Sequence, residues 1–382
     1  MTRPGSGEPQ RSPHRGWIEI DHDAIRSNLG AVRAMAGADK QVIAVVKADA
    51  YGHGAVPVAR TLVAAGVERL GVATVGEALE LRAAGIETPI LVLLGIGQPE
   101  AAAAVEADLD TIVYDLRAIG LLEAAAAAAG RRASVQLKVD TGLGRQGATP
   151  EEALELAGRV ARSRHLRLVG TFSHLAVAGE DDAYTEVQQL NLARTLDAMR
   201  SSGIEPGLVH VAATGGILAG AGVYADAVRP GIGLYGLAPA WAAERANGLR
   251  PALSLKALPL RIFELKAGEA ISYGLRFRAR RTTRIATLGI GYGDGWPRLH
   301  TNNGAALVRG RRVPVVGTVS MDGITVDVGD IDDVTYDDEF VLIGEQNGAR
   351  ISADEVAAER RTINYEVTTA LRRRLPRLHL GT

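Results

Sequence analysis

The stretch AVVKADAYGHGA (44–55) puts Lys47 at the end of the β-branched run VIAVV, ahead of a loop with Asp49, Tyr51, His53 and two glycines. An apolar wall lowers the pKa of an amine and frees it to attack a carbonyl, the chemistry of a Schiff base. The plainer alternative is a strand-end lysine that snorkels its ammonium to water. Composition bears on this choice. Of 43 basic residues only Lys40, Lys47, Lys138, Lys256 and Lys266 are lysines; the other 38 are arginines. In a chain that uses arginine for most of its cations, a lysine at a strand end stands out as a residue that can lose its proton. Four further groups stand at or just beyond apolar runs: Arg145 in VDTGLGR, His174 in TFSH, Thr214 in VAAT and Arg229 in AVRP. Each alone reads as an ordinary loop residue.

The elements that would position these groups follow from the hydrophobic pattern. Eight short apolar runs (41–46, 69–74, 89–94, 110–114, 134–139, 166–172, 208–212 and 227–230) alternate with helical stretches such as DLRAIGLLEAAAAAAG and EEALELAGRVARSR. This interleaving predicts an α/β chain whose N-terminal part, residues 17–245, is a TIM-like (β/α)8 barrel. In such a barrel the five groups would share the rim at the C-terminal ends of the strands. An open, doubly wound sheet is the alternative, because a strand count does not prove closure. After about residue 245 short strands and turns recur at the spacing of an antiparallel fold. Residues 246–382 therefore read as a mostly antiparallel β domain, with the boundary near 242–252. Residues near 17–22, counted with the barrel, can instead pack with the C-terminal domain.

The 382 residues are 47% hydrophobic and carry a net charge of −1, with a sequence pI of about 6.7. That balance gives no electrostatic reason for a nucleic acid or an anionic membrane as partner. There are no cysteines, which excludes disulfides, zinc–thiolate sites and cysteine nucleophiles. Residues 1–16, MTRPGSGEPQRSPHRG, read as a disordered tail with no apolar core of a secretory signal. No apolar run approaches the ~20 residues of a membrane span. A soluble cytoplasmic protein is the expectation.

Other motifs are set aside on their mechanics. GLGRQG (142–147) has the glycine spacing of a dinucleotide loop, but the acidic residue expected ~20 positions on is missing, since the next strand ends in TFSH. It reads as a flexible turn, or as a loop that aims Arg145 at an anion. GIGYGDG (289–295) lacks the Lys-Ser/Thr of a P-loop. The eight histidines have no metal-ligand spacing, and there is no G-x-S-x-G elbow.

From WIEIDHDAIRSNL (17–29) to INYEVTTAL (363–371) the chain resembles the alanine racemases, pyridoxal 5′-phosphate enzymes of fold type III. AVVKADAYGHG resembles their cofactor-lysine motif. LKVDTGLGRQG, AVRPGIGLYG, ISYG, GYGDGWPR, GTVSMDGITVDV and NYE follow in the family's order. The resemblance implies that Lys47 anchors the cofactor and acts as one catalytic base. Tyr273 would be the other base, on the opposite face of the substrate Cα, supplied by the second subunit of a homodimer. Free tyrosine, with a pKa near ~10, needs help to act as a base. His174 and Arg229 match a relay to it, and Arg229 would also donate to the cofactor's pyridine nitrogen. Tyr51, Thr214, the amides of Gly231 and Ile232, and Tyr365 match the phosphate-binding set. Arg145 would lie near the cofactor's phenolic oxygen and the substrate carboxylate. Met321 and Asp322 would close the pocket from the partner, and Tyr292 and Arg298 match residues of its entrance. Lys138 matches a lysine often carbamylated in the family.

Two positions depart from the pattern. The family usually reads Asn-Ser after the seventh strand, where this chain has Ala213 and Thr214, and Gly323 stands where a larger polar residue is usual. Serine, or a broader set of small amino acids, is therefore an alternative substrate. A fold type III decarboxylase is a weaker reading, because those enzymes need a cysteine. A barrel-only cofactor carrier would lack residues 246–382.

Overall fold

The computed structural model describes residues 15–382. They form two compact units, one running from His22 to Pro251 and the other combining the residues up to Asp21 with Ala252–Gly381. The expected tail lies outside the described residues except for Arg15 and Gly16, and Gly16 opens a strand.

The unit from His22 to Pro251 holds eight parallel strands, numbered here after β1 (Gly16–Asp21). They are β2 (Gln41–Val45), β3 (Arg69–Val72), β4 (Ile90–Val92), β5 (Asp110–Val113), β6 (Ala133–Lys138), β7 (Leu166–Phe172), β8 (Leu208–Ala213) and β9 (Ala227–Arg229). β9 pairs back onto β2 through Gln41↔Ala227 and Val42↔Val228, so the sheet closes into a barrel and the open-sheet alternative is excluded. The strands read as continuous apolar runs because neighbours cover both of their faces. Ile43, Leu91, Ile112, Phe172 and Ala227 form one interior cluster. Thr74, Asp115, Thr149 and Asp181 cap the helices that follow β3, β5, β6 and β7, each accepting an amide of the first turn. Each cap is worth about 1 kcal/mol and fixes where a loop on the functional rim ends.

The other unit is mostly antiparallel. Its strands are β10 (Leu253–Ala257), β11 (Pro259–Leu265), β12 (Ala270–Ile271), β13 (Phe277–Arg278), β14 (Thr283–Leu288), β15 (Ala305–Val308), β16 (Arg311–Val316), β17 (Ile324–Asp327), β18 (Phe340–Gln346), β19 (Ala349–Ile351) and β20 (Arg377–Leu380). The main sheet runs β11-β14-β17-β16-β15-β18-β10-β1-β20, with β19 on β18 and a separate β12-β13 ribbon. β1, first in sequence, is thus an inner strand of this sheet, antiparallel to β10 through Ile18↔Leu255 and parallel to β20 through Ile18↔Arg377. The division at 251/252 falls six residues after the 245/246 boundary read from sequence. The intervening segment is tied to the barrel: Asn28 accepts from the Arg250 amide at 2.7 Å and donates to the Arg250 and Leu234 carbonyls.

Candidate active site

β2 delivers Lys47 into an unusual turn. Ala48, Asp49, Ala50 and Tyr51 all have φ between 53° and 55°. Left-handed backbone costs a non-glycine residue about 1–2 kcal/mol, so four in succession need external clamps. Glu77 supplies one: its two carboxylate oxygens accept the Ala48 and Ala73 amides, each at 2.7 Å. Asp49 accepts the Ala55 amide at 2.8 Å. His53 supplies a third clamp. Its Nδ1 lies 3.0 and 3.1 Å from the carbonyls of Ala50 and Tyr51, which only accept, so Nδ1 carries the proton. The His53 ring packs 4.4 Å from that of Tyr235, whose hydroxyl donates to the Val45 carbonyl. Burial lowers the Lys47 pKa, and Arg145 and Arg229 lower it further against the opposing pull of Glu77.

Arg229, at the end of β9, is buried. Burial pulls its pKa down to about 9. Its Nη2 donates to the Ser173 and Val211 carbonyls at 2.8 and 3.0 Å and lies 3.2 Å from His174 Nδ1. Its Nη1 lies 2.5 Å from Nδ1 of the fully buried His210. The Arg229 Nε–H has no protein acceptor among the described residues, which leaves a donor for a ligand. Burial, with the charges of Arg229 and Arg145 behind it, drives His174 down to about 3. The ring is neutral, and acceptance at Nδ1 places its proton on Nε2.

A cluster of hydroxyls and turn amides lies on the same rim. Thr214 Oγ1 accepts the amides of Gly231 and Gly233 at 3.1 and 3.2 Å. A Cβ built at Gly231 would stand 2.4 Å from the Tyr51 hydroxyl, so only glycine lets that hydroxyl approach. Ile232 opens a 3₁₀ turn, and its amide has no protein acceptor among the described residues. The tyrosyl and threonyl hydroxyls and the Ile232 amide are donors that suit an oxyanion.

The amides of the GLGRQG loop do not offer the phosphate seat of a dinucleotide loop, because they already hold an anion. Asp140 accepts from Gly142, Leu143 and Gly144 at 2.9–3.2 Å. Burial alone would raise the Asp140 pKa, but these amides hold it below the usual carboxylate range. Gly147 (φ 142°) lies so close that a Cβ would meet the Asp140 nitrogen at 2.5 Å. The loop presents Arg145, whose charge is felt at Lys47, Lys138 and His174. Lys138, buried at the end of β6, donates to Gln146 at 2.9 Å. Burial, helped by Arg145 and Arg229, lowers it to about 8. Lys47, Lys138, Arg145 and Arg229 thus concentrate positive charge on one rim of a chain whose net charge is −1, a field that favours an anionic ligand.

The remaining expected residues belong to the other unit. Tyr273 is 70% exposed on the turn between β12 and β13, its carbonyl held by Thr318 at 2.6 Å. Met321 is exposed, and Asp322 is paired with Arg374 at 2.8 Å. The GYGDG loop bonds the SMDG loop through Tyr292 N to Ser320 O at 3.0 Å and Gly293 N to Met321 O at 2.8 Å. It is a structural splice, so Tyr292 and Met321 sit on one composite surface. Arg298 is exposed in the 3₁₀ turn Arg298–His300. Tyr365 is half-buried, and burial raises it to about 12. A Cβ at Gly323 would stand 3.1 Å from the Leu288 carbonyl, a tight approach, and nothing in the structure explains its departure from the family pattern. Glu77, His210 and Gln136 were not singled out from the sequence. Only Glu77 left a signal there, as the fourth residue of a T-V-G-E capping box.

Comparison with known proteins finds one family. Residues 20–239 match the family described as alanine racemase, N-terminal domain, and residues 252–379 its C-terminal domain. The alanine racemase of Desulforamulus reducens is 42% identical over 96% of this chain and 99% of its own length. That of Symbiobacterium thermophilum is 41% identical over 96% and 97%. Among solved structures, an alanine racemase of Clostridium difficile 630 superposes with a TM-score of 0.91 at 33% identity, covering 97% of each chain. One from Bartonella henselae, with covalently bound pyridoxal phosphate, gives 0.85 at 29% identity over 96% of this chain and 100% of that one. On matches that span both units, the chain belongs to the alanine racemase family.

Proposed function

We propose that the protein interconverts L- and D-alanine with pyridoxal 5′-phosphate. The observation that carries this reading is the juxtaposition, on one barrel rim, of a lowered lysine amine, a buried arginine with a spare donor, and an oxyanion cradle. These fit the three polar ends of the cofactor. Lys47 would hold the aldehyde carbon. Arg229 Nε–H would donate to the pyridine nitrogen. Tyr51, Thr214, Gly231 and Ile232 would hold the phosphate. When bound, the cofactor supplies an electron sink that acidifies the substrate's α-proton.

The chain's own residues do the rest. Arg145 attracts the substrate carboxylate. Lys47, half-buried and lowered, takes or returns a proton on one face of Cα. Tyr273 does so on the other, and His174 Nε2–H, backed by the Arg229 charge, donates to its hydroxyl and eases its ionisation. The exposure of Tyr273 and Met321 supports their delivery into the site of a second copy, with Asp322, Tyr292 and Arg298 at the entrance. A homodimer with shared sites follows from that reading. Lys138, with a pKa near neutrality, is suited to add carbon dioxide and become a carbamate facing Arg145. Among the described residues no helix is long and apolar enough to cross a membrane, and the cytoplasm is the place of action this reading expects.

The test is a chiral assay in deuterated water. L-alanine should reach the racemate with deuterium at Cα. Tyr273→Phe should slow exchange by about 10²- to 10⁴-fold for one enantiomer far more than for the other. Faster turnover of serine than of alanine would replace the substrate, and equal slowing of both enantiomers would remove Tyr273 as a face-specific base.

A further inference from the structure

A hydrogen-bonded chain runs through the barrel interior, away from the rim. Arg69, at the start of β3, donates to Asp110 Oδ2 at 2.7 Å. Asp110, at the start of β5, accepts from Gln136 Nε2 at 3.1 Å. Gln136 Oε1 lies 2.6 Å from His210 Nε2, and His210 Nδ1 lies 2.5 Å from Arg229 Nη1. Gln136 and His210 are fully buried, and Arg229 is 3% exposed.

We propose that Gln136 and Asp110 are positioning residues which hold the His210 ring through its Nε2–H, with Nδ1 turned to accept from Arg229, and so aim the Arg229 guanidinium at the cofactor ring. The logic is one of donors and acceptors. Burial raises the Asp110 pKa, but the Arg69 guanidinium at 2.7 Å opposes it and favours the carboxylate; a carboxylate only accepts, so Asp110 turns the amide nitrogen of Gln136 toward itself and the amide oxygen toward His210. That oxygen only accepts, so Nε2 of His210 carries the proton. Nδ1 is then a bare lone pair, the partner Arg229 Nη1–H requires. The opposite tautomer would set N–H against N–H in the buried interior of the barrel, a loss of a buried charged hydrogen bond.

Two packing features hold the chain in place. Gly170 leaves room for the amide, since a Cβ there would stand 3.0 Å from Gln136 Oε1. Phe172 stacks on His210 at 4.6 Å and lies under the Arg229 guanidinium at 5.0 Å. Burial and the neighbouring Arg229 hold His210 well below its usual pKa, which keeps the ring neutral.

This inference rests on the reading of Arg229 as the donor to the cofactor ring. It predicts that Gln136→Met, close in shape but without the amide, lowers kcat by about 10- to 100-fold with KM for alanine changed by less than about 3-fold. Asp110→Asn, which lets the Gln136 amide turn either way, should give a drop of about 3- to 10-fold. The direct readout is the ¹⁵N spectrum of His210 in the cofactor-loaded enzyme. Wild type should show the proton on Nε2 with the shift of a hydrogen-bonded Nε2–H, and both variants should weaken or lose that hydrogen-bond shift, with a shifted visible cofactor band. If Gln136→Met cannot be isolated folded, Asp110→Asn decides by the same readouts. An unchanged His210 spectrum together with wild-type kcat in the variants would overturn the proposal. Arg229→Lys separates the two levels. If it loses activity while the interior variants do not, only the interior chain fails. If it keeps wild-type activity and an unshifted cofactor band, the underlying reading of Arg229 fails.

Discussion

The two units hold their reactive side chains in opposite ways. In the barrel, Lys138, Arg229 and His210 are 4%, 3% and 0% exposed and are bonded to one another's neighbours or to backbone. In the other unit, Tyr273 and Met321 are 70% and 51% exposed on short turns. There the backbone is pinned, as by Thr318 to Tyr273 and by Tyr292 to Ser320, while the side chains project. A prebuilt, dry set of dipoles holds a charged cofactor with little reorganisation. A pinned backbone with a projecting side chain is what a contribution to another chain requires. The difference teaches that the barrel's substitutions should change cofactor binding in each subunit, whereas the projecting residues should matter only in the assembly.

The strongest way to break this contrast is Lys47→Ala. It should abolish the visible absorption of the bound cofactor and cut racemisation by about 10⁴-fold or more; survival of the band would move the anchor elsewhere. Gly231→Ala comes next. Its Cβ would drive into the Tyr51 hydroxyl, so cofactor affinity should fall by about 100-fold, measured by equilibrium dialysis, with a smaller change in kcat at saturating cofactor. The charge of Lys138 gives a smaller, graded effect. Its pKa is lowered to about 8, so the free amine that reacts with carbon dioxide grows as pH rises through that value. A carbamate ¹³C resonance in labelled bicarbonate should strengthen from about pH 6 to 9, and its absence throughout would leave Lys138 a plain amine. The smallest effect sharpens the contrast. Ala48→Gly relieves left-handed strain and should raise the unfolding free energy by about 1 kcal/mol, while loosening Lys47 enough to lower kcat a few-fold. A loss of stability would mean the clamps leave no strain at that residue.

How much was legible in the sequence follows from the physics of each part. The barrel strands were, because parallel strands covered on both faces are written as unbroken apolar runs, and all eight fall within a residue or two of their expected limits. Lys47 was visible because a lysine is out of place where it stands. The turn after it was not: ADAY contains no glycine, so nothing in the letters signals four positive φ values. Asp110, Gln136 and His210 were hidden for a different reason. A polar residue inside an apolar run has no periodicity, and His210 finds its partner 74 positions away across the barrel. The membership of β1 was open for the same reason, since a six-residue strand does not name its neighbours. In the C-terminal unit the motif residues could be found by resemblance, but their exposure came only with the structure.

The central claim is that a complete site joins the barrel of one copy to Tyr273 of another. Lys47→Ala and Tyr273→Phe chains, each nearly inactive alone, can be co-expressed with different tags and the mixed dimer isolated. If the site is shared between copies, each mixed dimer carries one intact site of two and should show about half the wild-type kcat per dimer. A mixed dimer as inactive as its parents would contradict the account, because it would place Lys47 and Tyr273 in the same site of the same chain.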